Sequence, residues 1–169
     1  MPRAAGLGRE ETALATERMA IIGAGMAGLT AARALADAGR DVVVFDKSRG
    51  VGGRMATRRR FPDDFDHGAQ YFTARSPTFR ARVDAWVAAG VVAPWTGSIT
   101  SLGDSEAARS ATDRFVGTPR MTLPAKALAE GLAVELSFRA KSLARGADGT
   151  WSVESEEGAR HDGFGGVLV

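Results

Sequence analysis

Apolar positions first gather in the short run Met19-Ala20-Ile21-Ile22, which enters Gly23-Ala24-Gly25-Met26-Ala27-Gly28; Leu29, Ala32 and Leu35 then recur at helical spacing. The pattern predicts a strand, a tight turn and a helix. Gly39 stands where a helix ends, and the β-branched run 41–46 suits a parallel strand buried on both faces. One βαβ unit is complete by Asp46. A loop rich in Gly and Arg is expected over 47–60. Ser76-Pro77 then reads as N-cap and first helical position, with Phe79, Val83, Trp86 and Val87 as an apolar stripe ending at Gly90. Residues 91–102 alternate poorly, and 103–112 are polar enough for a surface loop. Helical spacing returns over 123–132, broken near Gly131. Strands are expected over 134–138, 141–144, 151–155 beyond the Asp148-Gly149 turn, and 164–169 after a turn near Gly158. Residues 1–17 lack either period and are expected to be a disordered lead-in, with Met19 a plausible true start.

Composition narrows the chemistry. Of 169 residues 44% are apolar, enough for one substantial core, and no run is long enough to cross a bilayer. A soluble, cytoplasmic protein without membrane association is expected. Cysteine is absent and histidine is limited to His67 and His161, which excludes thiolate and His-rich metal sites, so no metal is expected. The 22 basic residues are offset by 20 acidic ones, and the cluster 55–60 lacks interleaved aromatics, which argues against a nucleic-acid partner.

The glycine-rich turn carries the strongest signal. Between a strand and a helix, such a turn exposes backbone N–H groups at the positive end of the helix dipole, where a pyrophosphate can sit. Gly23 permits the sharp turn, Gly25 lets phosphates approach the main chain, and Gly28 lets helix and strand pack closely. Asp46 closes the second strand, where a carboxylate accepts hydrogen bonds from ribose hydroxyls and repels a 2′-phosphate.

Beyond Asp46 the chain reads Lys47-Ser48-Arg49-Gly50-Val51-Gly52-Gly53-Arg54, and later Phe65-Asp66-His67-Gly68-Ala69-Gln70-Tyr71-Phe72. With these blocks it resembles the flavoprotein amine oxidase superfamily, most closely its renalase-like bacterial members. The likeness continues through Ser76-Pro77-Thr78-Phe79, Trp95, Arg114-Phe115-Val116-Gly117 and Ala125-Lys126-Ala127-Leu128-Ala129. It departs at Pro119 to Pro124, with an extra proline where a helix should open, and at Gly165, which stands where an acid is expected.

The resemblance implies an α/β chain: a Rossmann-type FAD/NAD(P)-binding domain with a parallel central sheet, a β-hairpin insertion and part of a second, substrate-binding domain. The FAD-binding core would span 18–72, the partial substrate domain 73–125, and the return to the nucleotide-binding domain 126–169. FAD is the implied cofactor. Its site would comprise the turn residues Gly23, Gly25, Met26, Ala27 and Gly28, then Asp46, Lys47, Gly52, Gly53 and Arg54 beside ribose and pyrophosphate. Gly68, Ala69 and Gln70 would lie near the flavin ring. No catalytic residue is assigned; His67, Gln70 and Tyr71 are the candidates for contact with flavin or substrate. Arg58-Arg59-Arg60 reads as a solvated run and Trp86 as core.

The implied activity is hydride transfer to flavin from a small-molecule substrate, either an amine or a dihydronicotinamide. Family members are considerably longer, so an N-terminal fragment is expected, completed by a missing C-terminal half or self-associating through an exposed sheet edge. Two alternatives stay open: a non-catalytic FAD- or ADP-binding protein, and an NAD-dependent dehydrogenase. The Gly52-Gly53-Arg54 block, for which an NAD site has no evident need, separates FAD from the latter.

Overall fold

The computed structural model describes residues 18–60, 62–97 and 113–169. The expected lead-in over 1–17 and surface loop over 103–112 lie outside the described residues. In chain order the elements are β1 (Arg18–Ile22), α1 (Met26–Asp37), β2 (Asp41–Asp46), a 3-10 turn (Gly53–Met55), β3 (Thr57–Arg60), β4 (Asp63–Asp66), β5 (Phe72–Thr73) and α2 (Pro77–Ala88). There follow β6 (Val92–Pro94), β7 (Arg114–Gly117), α3 (Leu123–Ala129), β8 (Ala133–Leu136), β9 (Ala140–Arg145), β10 (Trp151–Ser155), β11 (Arg160–Phe164) and β12 (Gly166–Leu168). None of the described helices is long and apolar enough to cross a membrane. The chain divides into two compact units, 18–53 with 128–169, and 54–127.

The first unit is a Rossmann-type α/β layer. Its sheet has the order β12-β1-β2-β8, all parallel, with Met19 opposite both Gly166 and Val42 and Val44 opposite Val134. Parallel strands need crossovers, and α1 is one, burying Leu29 and Ala32 as it packs on β2 and β1. A second sheet, antiparallel in the order β11-β10-β9, completes the unit. The core joins the two sheets: Phe45 of β2 is fully buried, with its ring 4.6 Å from Phe138 and edge-on to Phe164 at 5.9 Å, beside Ala20 and Val153. Arg33 of α1 donates from Nη2 to the carbonyl of Leu128 at 2.8 Å and to that of Glu130, placing a cation at the end of α3.

The second unit holds a hairpin, β3 against β4, and an antiparallel sheet of order β5-β7-β6. Ser76 caps α2 by accepting the Phe79 N–H at 3.2 Å with Pro77 in the first turn, as the sequence predicts. Val83 and Trp86 are its buried residues, so Trp86 is core. Arg80 bonds Asp84 at 2.9 Å and Asp113 at 2.7 Å, and these carboxylates, Asp113 foremost, raise its guanidinium above the ordinary range. The extra proline is accommodated: Pro124 lies in the first turn of α3, where no intrahelical N–H is needed, and it is buried.

Three expectations are corrected. The predicted loop over 47–60 ends in the 3-10 turn and in β3, whose Arg58, Arg59 and Arg60 are exposed yet paired with Phe65, Asp64 and Asp63. These arginines escape a period-2 reading because a two-stranded ribbon with charged residues on both faces buries no apolar stripe. The strand expected over 164–169 is two: β11 closes a hairpin, and β12 enters the parallel sheet after Gly165, whose N–H bonds the Arg18 carbonyl at 2.8 Å. The strand over 134–138 stops at Leu136, because Ser137 takes a positive φ of 57° and its N–H bonds the Ser48 carbonyl.

Because Phe45 is the ring on which both sheets of the first unit meet, Phe45→Ala should cost about 3–5 kcal/mol of unfolding free energy. Guanidinium denaturation checks this, and a loss under 1 kcal/mol would mean that the core closes around the gap.

Candidate functional site

At the end of β1, Gly23 takes φ +111° and donates its N–H to the Phe45 carbonyl at 2.7 Å, turning the chain out of the sheet. Gly25 is the N-cap of α1, with extended backbone (φ −81°, ψ 179°) and no side-chain cap. The first intrahelical bond runs from the Leu29 N–H to the Gly25 carbonyl at 2.9 Å. The amides of Met26, Ala27 and Gly28 therefore have no partner within the helix, and no acidic residue occupies the first turn. A Cβ built on Gly25 meets nothing within 4 Å. Gly28 is the opposite case: its Cβ would collide with the Gly23 carbonyl oxygen and lie 3.2 Å from that carbonyl carbon, which is the close helix–strand approach anticipated above.

Asp46, half-buried at the end of β2, grips this turn directly. Its Oδ2 accepts the Ala24 N–H at 2.6 Å and its Oδ1 accepts the Ser48 N–H at 2.7 Å. Each carboxylate oxygen keeps a further lone pair, so the group still accepts hydroxyl donors. The Phe138 N–H bonds the Asp46 carbonyl at 2.9 Å, tying the end of β2 to the chain beyond β8. Lys47 is exposed just beyond.

The second glycine block returns to the same place. The Gly52 N–H bonds the Ala24 carbonyl at 2.9 Å, and Gly53, at φ +52°, packs so closely that a Cβ would lie 3.3 Å from the Gly25 Cα. The first unit thus brings together Gly23 to Gly28, Asp46, Gly52 and Gly53. What they form is an uncapped helix start, open in front, with a carboxylate at one side.

The remaining candidates lie in the second unit. Arg54 is exposed, and among the described residues its guanidinium has no hydrogen-bond partner. Its carbonyl accepts the Ala69 N–H at 2.8 Å, with Gly68 pressed against it. Tyr71 stacks on Trp95 at 5.4 Å and 11°, with the Arg114 guanidinium 5.3 Å from its ring centre. His67 and Gln70 are exposed, and their side chains make no hydrogen bond among the described residues.

Sequence reasoning missed Asp66, which accepts from Thr57 Oγ1 at 2.5 Å and from the Met121 N–H at 3.2 Å, and so anchors the start of the 67–71 loop. Its only signal was an acid beside the His-Gly pair.

Residues 21–86 match the NAD(P)-binding Rossmann-like domain family. A stretch of 44 residues, 26% of the chain, is 54% identical to the L-amino-acid oxidase of Crotalus adamanteus. Another of 51 residues, 30% of the chain, is 43% identical to the 4,4'-diapophytoene desaturase of Staphylococcus aureus. These stretches amount to 8% and 10% of the relatives' own lengths. Among solved structures, a monooxygenase from Photorhabdus luminescens described as FAD-containing superposes with a TM-score of 0.55 at 16% identity. The superposition covers 86% of this chain and 37% of that one, and at this identity it speaks for the fold.

Because Asp46 bonds two backbone amides, Asp46→Asn puts a donor against one of them and should cost the ligand-free chain about 1–3 kcal/mol. Urea unfolding without added nucleotide measures this; an unchanged midpoint would show that the turn holds without the carboxylate.

Proposed function

We propose that this chain is the FAD-binding portion of an FAD-dependent oxidoreductase. The observation that carries the reading is the double-glycine segment folded back onto the phosphate-type turn, with the Gly52 N–H bonded to the Ala24 carbonyl and Gly53 packed against Gly25. An uncapped helix start in front of open space suits a diphosphate, and Asp46 suits a ribose without a 2′-phosphate. These features would serve NAD as well; the paired glycines are what favour FAD, because they let the chain that leads to Arg54 lie directly on the turn, a segment for which an NAD site has no evident need. The relatives found by sequence, an amino-acid oxidase and a desaturase, support the oxidoreductase class.

In this reading Met26, Ala27 and Gly28 donate their amides to the pyrophosphate, and Asp46 receives the ribose hydroxyls. Arg54 supplies a forked cation to a phosphate or a ring carbonyl. Bound FAD would supply the hydride-accepting chemistry, so the protein's task is to bind, orient and tune. His67 and Gln70, polar side chains on a backbone pinned at Asp66, Ala69 and Tyr71, are the proposed contacts to flavin edge or substrate. The substrate class we propose is a small amine or a dihydronicotinamide. The rest of the substrate site would come from sequence beyond this chain or from a second copy along the β12 edge.

Purified protein should carry a yellow flavin spectrum. Gly25→Leu, which fills the open space while keeping an ordinary φ, should abolish flavin retention with little change in thermal unfolding of the ligand-free chain. Colourless protein that binds NAD by calorimetry, or full flavin content in the variant, would overturn the assignment. Anaerobic bleaching of the bound flavin by an amine or by a dihydronicotinamide then separates the two substrate classes.

A further inference from the structure

We propose that Gly68 and Ala69 are positioning residues that clamp the main chain of Arg54, so that its guanidinium is presented to the bound FAD from a fixed point. The proposal rests on the cofactor reading above and adds to it a role for two residues that need not touch the ligand.

A Cβ on Gly68 would overlap the Arg54 carbonyl oxygen and lie 2.9 Å from its carbonyl carbon and 3.7 Å from its Cα. All three atoms are backbone and cannot swing aside as the end of a side chain can. Core packing does not impose this, because Gly68 is exposed. Of the other exposed glycines, Gly39, Gly50, Gly90 and Gly131 have nothing within 4 Å of the same hypothetical atom, while at Gly97 and Gly146 the nearest atoms belong to side chains, those of Trp95 and Asp148. The crowding at Gly68 is therefore a specific contact with one peptide, that of Arg54.

The contact has a geometric origin. In the hairpin, Thr57 pairs with Asp66, Arg58 with Phe65, Arg59 with Asp64 and Arg60 with Asp63. Continuing that register backwards past Thr57 sets Arg54 opposite Ala69, and the Ala69 N–H does bond the Arg54 carbonyl at 2.8 Å. The 3-10 turn Gly53–Met55 interrupts the strand, yet the rung survives it. Asp66 holds the returning chain in place, through Thr57 Oγ1 at 2.5 Å and the Met121 N–H at 3.2 Å, so residues 67–69 hang from a fixed support.

On its other side, Arg54 follows Gly53 by a single peptide bond, and Gly53 is packed on Gly25. The Arg54 carbonyl is thus held by the 68–69 loop while its guanidinium has no hydrogen-bond partner among the described residues. A long cationic side chain loses rotamer freedom on binding, and fixing its root beforehand reduces what remains to be ordered. Gly68 and Ala69 act through that root.

The test is a double-mutant cycle on the full chain, read as FAD affinity by flavin fluorescence titration, with circular dichroism and thermal unfolding of each ligand-free variant. Arg54→Ala and Gly68→Ala should each weaken FAD binding about tenfold, and in the Arg54→Ala background Gly68→Ala should add less than about twofold. A merely structural glycine would weaken binding equally in both backgrounds, and that result overturns the proposal. Should Gly68→Ala lose its secondary structure, Ala69→Pro, which deletes the donor to the Arg54 carbonyl, runs through the same cycle with the same criterion; unfolding of both variants also overturns a local clamp. A wild-type chain that binds no FAD removes the cofactor reading and this proposal with it. Binding by the wild type with additive losses in the cycle sinks only the clamp.

Discussion

The bond from the Ala24 N–H to Asp46 Oδ2 is the constraint on which the geometry of the turn depends. Ala24 is fully buried, and both of its main-chain groups are in use, the N–H on Asp46 and the carbonyl on the Gly52 N–H. A turn so engaged by Ala24 leaves the amides that begin α1 without an intrahelical partner. The same carboxylate gathers in Ser48 and so sets where the chain leaves β2. One side chain thus shapes the phosphate turn, the exit from the second strand and, through Gly52, the approach of the double-glycine segment. A charged acceptor serves here better than a neutral one, since bonds to a carboxylate are shorter and stronger.

What could be read from sequence was whatever has a contiguous motif or an apolar period. The glycine spacing of 23–28, the acid at Asp46 and the Ser76-Pro77 helix start are contiguous signals, and the structure contains each in the expected element. Strands without an apolar stripe were not legible, even where the partner strand is close by in the chain. Strand β3 is three arginines and a threonine held by a ladder to three aspartates and Phe65, and β11, Arg-His-Asp-Gly-Phe, is a largely polar hairpin strand carrying Gly163 at positive φ. Strands β5 and β6, two and three residues long, are too short for any period to register. At the candidate site, the residue types were legible but not their partners. That Asp46 bonds Ala24, that Gly52 and Gly53 fold back on the turn, and that Asp66 anchors the loop beyond it are facts of tertiary approach.

Two glycines from the same sequence reading serve opposite ends. At Gly25 the missing Cβ leaves open space, because among the described residues no atom lies within 4 Å of its place; at Gly68 it admits a carbonyl. Both would appear as small residues required by the fold, yet only the first leaves room for a ligand. A glycine motif gains meaning from what occupies the volume that the side chain vacates.

The unit that carries the turn is assembled from two stretches far apart in the chain, and its strand β1 has one neighbour from each: β2, which follows directly, and β12, where Met19 meets Gly166. During synthesis on the ribosome, β1 therefore acquires its first partner early and waits until residues 166–168 have been made before its other flank is covered. Closing so long a loop is entropically slow, so this flank of β1 is the last part of the parallel sheet to be sealed and the surface most in need of protection while the nascent protein emerges.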